Sequence, residues 1–164
     1  MSHCSLSDAL SFEAPAVVLQ FKEKSGFTAE DCESIFTETK RWLWACARRA
    51  EDEKNGKSVP LSLLISPELT VMDGMWHCFL SSEKMYNDFC NGTLGSFVEH
   101  IPMTEDQIRK FDKLRSKNPE AALLLRQQEI RPQLDYLYDL VGPDVIRRWY
   151  LEFPARFGME SIPE

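Results

Sequence analysis

The chain has 164 residues, of which 43% are hydrophobic and 27% charged, and its formal net charge is −7. This length is enough for one hydrophobic core, so a single domain is expected. The acidic balance excludes a general binder of nucleic acid or of anionic membrane surfaces, because either function needs a basic face.

Neither a targeting signal nor a disulfide pattern is visible in the sequence. No apolar run approaches the roughly 20 residues that a membrane span requires, and residues 1–14 lack the basic and apolar regions of a secretory signal. The five cysteines are an odd number without a C-x-x-C pair, which fits neither a disulfide framework nor a zinc ribbon. The sequence therefore predicts a soluble, cytoplasmic protein without membrane association.

Helical patterns begin after a short N-terminal stretch. Residues 1–14 are serine-rich and weakly patterned, and we expect a flexible segment there, followed by one helical domain over residues 15–164. The first predicted helix starts at Pro15, since proline is favoured at the first helical position, and it stops at Gly26.

The clearest predicted element is a helix from about residue 29 to residue 54. Thr28 is a candidate N-cap, and apolar residues then recur on one face at 3.6-residue spacing. Trp42 lies on this stripe, so we expect it to be deeply buried. Trp44 lies off the stripe, so it either covers a second layer, such as the C-terminal helices, or is exposed as a contact for a partner protein.

Five further helices are predicted after an exposed loop around Gly56. They cover approximately residues 67–80, 82–91, 104–117, 119–141 and 144–153. A short extended segment is expected near residues 96–103, since residues before a proline avoid helical angles. Strand patterns of alternating polarity are missing, so the predicted fold class is all-α, a single compact bundle of about six to seven helices.

A candidate site lies between the third predicted helix and the extended segment. Asp73 and His77 are one helical turn apart, separated by roughly 40° around the axis, and they lie at the margin of the apolar stripe. His100 follows in the extended segment, from which it could fold back onto this helix. With Glu99 or Cys90, these residues would form a site of three or four ligands for a divalent metal, zinc or a similar ion.

Two interpretations of this site are open. In the first, the carboxylate and the imidazoles bind a metal or a small ligand. In the second, Asp73, His77 and His100 form a buried polar network that holds the helix against the following loop. Both interpretations require the three side chains to approach one another, with the carboxylate orienting the imidazole rings.

The same stretch resembles a known protein family. The chain reads Asp-x-x-Trp-His, then Phe-Leu, a Tyr and Phe-Cys, and finally Gly-x-Phe-x-x-His-x-Pro. This pattern is similar to that of the small bacterial relatives of the plant glycine-rich domain-containing proteins, and the resemblance covers roughly residues 20–105. The residues that support the motif, besides the candidate ligands, are Trp76, Phe79, Tyr86, Gly95, Phe97 and Pro102.

This resemblance implies which residues form the motif but not which reaction or ligand they serve, because the family is defined by sequence and lacks an established activity. Many members carry a second histidine where Phe79 stands, and a His-His pair where this chain has Glu99 and His100. The basic, glycine-rich tail of the plant proteins is also missing. These departures reduce the number of histidines that a metal site could use.

Common enzymatic motifs are missing from the sequence. There is no G-x-x-x-x-G-K, G-x-G-x-x-G or G-x-S-x-G pattern, and no signature of a catalytic cysteine surrounds Cys78 or Cys90. The first predicted function is therefore a non-catalytic module for protein interaction or regulation, with another protein as its partner. The alternative is a protein, or an enzyme, that binds a divalent metal or a small ligand through Asp73, His77 and His100.

Overall fold

Helix α3, Ala29–Lys54, is the element around which most of the other helices pack. The computed structural model describes residues 4–101 and 105–163. The other helices are α1 (Leu6–Ser11), α2 (Pro15–Ser25), α4 (Thr70–Ser81), α5 (83–94), α6 (Glu105–Lys117), α7 (Pro119–Val141) and α8 (143–157). Helix α5 is α-helical over Glu83–Asn87 and π-helical over Asp88–Leu94, and α8 contains a π-helical turn, Arg148–Glu152, between Pro143–Arg147 and Phe153–Phe157.

This arrangement confirms the predicted all-α bundle. The described residues contain no β-strand, and they form eight helices where six to seven were predicted. Within residues 4–101 and 105–163, no helix is long and apolar enough to pass through a membrane. Residues 97–101 are non-helical, in the region predicted to be extended, and residues 102–104 lie outside the part of the chain that the structure describes.

The boundary between α2 and α3 is set by the residues that mark it in the sequence. Gly26 has a φ angle of 75°, in the left-handed region that favours glycine, and it ends α2. The Thr28 side chain accepts a hydrogen bond from the backbone N–H of Asp31 and so caps α3. The predicted bounds of α3 are therefore confirmed.

The N-terminal segment differs from the predicted flexible stretch, because helix α1 forms within it. Ser5 caps α1, and Ala9 is fully buried as part of the core. The ammonium group of Lys40 on α3 donates hydrogen bonds to the carbonyls of Leu10 and Phe12, at 2.6 and 2.8 Å. Burial lowers the pKa of Lys40, and the two carbonyls replace water around its charge. The folded helical domain therefore begins before residue 15.

Aromatic side chains fill the core. Trp42 is only 1% exposed, as predicted, and its ring packs edge to face against Trp149 of α8 with the centroids 5.6 Å apart. Phe79 of α4 is fully buried and packs against Phe36 of α3 at 5.4 Å and against Tyr86 of α5 at 5.1 Å. These contacts hold α4 against α3 and α5, and they position the polar margin of α4.

A buried carboxylate joins α3 to α8. The Glu38 side chain is 2% exposed, and it forms ion pairs with Arg41 on its own helix and with Arg148. Both arginines are partly exposed, so this pairing lies at the edge of the core and links two helices that are far apart in the sequence.

Candidate metal site

Asp73 and His77 lie side by side on one edge of α4. Met72, Trp76 and Phe79 face the core from the same helix, so Asp73 and His77 occupy the margin of the buried face. Their side chains are 28% and 47% exposed, and Nε2 of His77 lies 3.4 Å from Oδ2 of Asp73. The helix therefore presents a carboxylate and an imidazole together at a surface that solvent reaches.

His100 reaches this pair from the non-helical segment 97–101. Its Nε2 lies 2.7 Å from Oδ1 of Asp73. Its ring centroid lies 4.6 Å from that of His77 and 4.4 Å from that of Trp76, and its side chain is only 13% exposed. The Asp73 carboxylate thus contacts the two imidazoles through separate oxygens, and the predicted approach of the three side chains is confirmed.

A buried polar chain holds the segment that carries His100. The indole N–H of Trp76 donates a hydrogen bond to the hydroxyl of Tyr86 at 3.0 Å, and this hydroxyl donates to the carbonyl of Val98. Burial raises the pKa of the Tyr86 phenol above its ordinary value, so the hydroxyl keeps its proton and remains a donor. Trp76 and Tyr86 therefore position His100, which lies two residues after Val98 and whose ring packs on that of Trp76.

Replacing Tyr86 with phenylalanine is expected to lower the free energy of unfolding by about 1–3 kcal/mol. The change leaves the Trp76 N–H and the Val98 carbonyl without their shared partner in a buried place. Urea denaturation followed by circular dichroism measures the loss. Tyr138→Phe, at an exposed tyrosine on α7, is the matched control, and equal stability of the two variants would contradict the positioning role.

The remaining described residues of the motif shape and pack the chain that leads to His100. Gly95 ends the π-helical part of α5 with a φ angle of 83°, where glycine is favoured. The Phe97 ring packs edge to face on Tyr86 at 5.5 Å, yet Phe97 is 55% exposed. Pro102 lies outside the described residues. The described members of the motif therefore support the chain around His100.

Glu99 and Cys90, which were expected to complete the ligand set, are not part of the cluster. Glu99 is exposed, and the ligand atoms that converge belong to Asp73, His77 and His100, not to Glu99. Cys90 is fully buried, and its thiol contacts Tyr86 and Val98. Burial raises the pKa of this thiol, which makes it a poor thiolate ligand or nucleophile.

Trp44, the predicted partner contact, is half-buried and anchored. Its indole N–H donates a hydrogen bond to the carbonyl of Cys4 at 2.9 Å, and its ring packs against the core. The layer that Trp44 covers includes the N-terminal segment, whereas the C-terminal helices were expected there. The structure therefore gives Trp44 an internal partner.

A pocket of about 330 Å³ opens beside Asp73 and His77. Its lining also includes residues from α2, from the start and end of α4, and from the C-terminal segment: Lys24, Thr70, Gly74, Cys78, Ser81, Ser161, Ile162 and Pro163. A Cβ atom at Gly74 would lie 2.7 Å from Cγ1 of Ile162, so only glycine lets the C-terminal segment approach α4 this closely. A glycine inside an apolar helix often has such a packing reason, and this signal was missed in the sequence.

The donor set has a recognisable coordination chemistry. Two imidazole nitrogens and one carboxylate oxygen suit divalent transition metals, including zinc, and three protein ligands leave at least one coordination position open. In this protein one ligand atom from each of Asp73, His77 and His100 lies within 4.8 Å of the other two. The cluster is thus compatible with metal binding, at an edge where a further ligand could enter from the pocket.

None of the family models, curated proteins or solved structures compared with this chain matches it. The resemblance to the glycine-rich domain-containing proteins therefore stays a prediction.

Proposed function

We propose that this protein binds a divalent transition metal ion, with zinc as the first candidate, through Asp73, His77 and His100. The observation that supports this function most directly is the convergence of the three ligand atoms within 4.8 Å. Zinc bonds of about 2.0–2.2 Å place tetrahedral ligand atoms about 3.3–3.6 Å apart. Small rotations of the side chains would therefore be sufficient to bind the ion.

The exposure of the cluster favours a binding site over a purely structural network. A buried carboxylate needs hydrogen-bond donors because it has lost water, but the side chains of Asp73 and His77 are 28% and 47% exposed. Water can solvate both of them, so the fold does not depend on their contact. When bound, a zinc ion held by three such ligands supplies a Lewis acid with a position for water or another ligand.

Replacing His77 with alanine is expected to weaken zinc binding by about 100-fold or more, because one of three ligands is lost. Zinc affinity is measured by competition with a chelating dye, on protein purified without an affinity tag. The free energy of unfolding without metal should change by less than about 1 kcal/mol, since His77 is half exposed.

His3→Ala is the matched control, because His3 is the only histidine of the sequence besides His77 and His100, and this variant should bind zinc like the parent protein. A parent protein that binds no zinc contradicts the proposal. So does a His77→Ala variant that is destabilised by about 1–3 kcal/mol without metal, which is the result that the structural network implies.

A second function, the binding of another protein, has its own supporting observation. A mostly apolar groove lies between residues 64–67 and helices α6 and α7, and Leu64 and Ile108 are both about half exposed in it. Exposed apolar surface of this kind often marks a contact site for a partner. Among the described residues, none lines both this groove and the pocket beside Asp73, so one protein could carry both functions.

A further inference from the structure

We propose that the pocket beside the cluster binds a small oxyanion, a carboxylate or a phosphate group, between the metal ion and Lys24. This inference rests on the metal binding proposed above and names the class of ligand for the same site. The pocket volume of about 330 Å³ falls at the lower end of the range of about 300–1,000 Å³ that is usual for small-molecule sites. It is large enough for a ligand of metabolite size.

The charges around the pocket favour an anion. Lys24 lies in the lining and is only partly exposed, and it forms no ion pair with any residue of the described ranges. Asp73, the acidic residue of the lining, contacts both histidines. A divalent ion at the cluster adds two positive charges, so the pocket would carry a net positive charge even with neutral imidazoles.

The hydroxyl groups of the lining divide into two kinds. The Thr70 and Ser81 hydroxyls donate to the helix carbonyls of Pro67 and His77, at 2.6 and 3.0 Å, and so cannot also donate to a ligand. The Ser161 hydroxyl has no such partner among the described residues and, with the Lys24 ammonium, remains available as a donor. A ligand that only accepts hydrogen bonds fits these donors, and a carboxylate or phosphate is such a ligand.

The C-terminal segment limits the size of the ligand. Ser161, Ile162 and Pro163 form one wall of the pocket. Ile162 packs directly on Gly74 of α4, which fixes the position of this wall.

The charges also exclude other classes of ligand. A cationic ligand would meet both the metal and Lys24, so repulsion excludes it. An apolar ligand would leave the Lys24 ammonium and the metal without an anionic partner.

Isothermal titration of the zinc-loaded protein with inorganic phosphate, and separately with acetate, tests the inference. We expect at least one of the two anions to bind, and to bind about tenfold or more tightly to the zinc-loaded protein than to the metal-free protein. Lys24→Gln should weaken this binding by about tenfold, because a charged hydrogen bond is lost. Lys22→Gln, on the same helix but exposed and outside the pocket, is the matched control and should have no effect.

The outcomes separate the two proposals. Zinc binding without binding of either anion overturns the oxyanion inference and leaves the metal site standing, as does a Lys24→Gln variant that binds like Lys22→Gln. Equal binding of the anion with and without zinc overturns the inference as well. Absence of zinc binding overturns both proposals. The tighter of the two anions identifies which oxyanion group the ligand carries.

Discussion

Replacing Trp42 with alanine is expected to lower the free energy of unfolding by about 3–5 kcal/mol, the range for emptying a large aromatic site. Trp42 is 1% exposed and stacks edge to face on Trp149. Its indole N–H has no hydrogen-bond partner among the described residues, so the loss comes from packing alone. The variant leaves a cavity where α3 meets α8.

Urea denaturation of the parent protein and the variant measures this difference. Trp44→Ala is the matched control, because Trp44 lies two positions along the same helix and is only half-buried. Its cost should be clearly smaller than that of Trp42→Ala. A loss of less than about 1 kcal/mol for Trp42→Ala would mean that α3 does not form the core described for it.

Replacing Glu38 with alanine is expected to lower the free energy of unfolding by about 2–3 kcal/mol. Removal of one partner from a buried ion pair costs about 3–5 kcal/mol. The cost is smaller here because Arg41 and Arg148, whose side chains are 16% and 37% exposed, can be partly solvated once the carboxylate is gone. Among the described residues, the contact between α3 and α8 would keep only the ion pair of Arg156 with Asp31, in which the arginine side chain is 67% exposed.

Asp106→Ala is the matched control for Glu38→Ala, because it also removes one acidic side chain. Asp106 pairs with Arg109 on the surface of α6, where both side chains are more than two-thirds exposed, so its loss should cost less than about 1 kcal/mol. Both variants are compared by urea denaturation at pH 7 in the same salt. Equal free energies of unfolding for Glu38→Ala and Asp106→Ala would show that Glu38 does not hold α8 in place.

The sequence predicts those parts of the fold that local chemistry determines. Thr28 and Gly26 mark helix ends because a hydroxyl cap and a left-handed glycine act within a few residues of their own position. Asp73 and His77 are predictable as a pair because the helical period brings them to one edge. His100 is predictable as their partner because the chain after α5 has no helical pattern and can fold back.

The parts that the sequence does not predict depend on contacts between distant residues. Helix α1 has only six residues, and its stability comes from burial of Ala9 and from Lys40 on α3. The buried position of Glu38 depends on Arg148, and the wall of the pocket depends on Ile162 packing on Gly74. No period or spacing in the sequence carries this information, because each of these pairs joins different helices or termini.

The number of residues in the π-helical stretch of α5, Asp88–Leu94, determines how His100 is oriented in the site. A π-helical turn holds more residues than an α-helical turn, and each residue of an α-helix rotates the side-chain direction by about 100°. The backbone N–H of Ser96 donates to the carbonyl of Cys90 at the end of Asp88–Leu94, so the count of residues there decides which way His100 faces. A related chain that gained or lost one residue in this stretch would therefore keep the aspartate and the two histidines in its sequence but lose the geometry of the cluster.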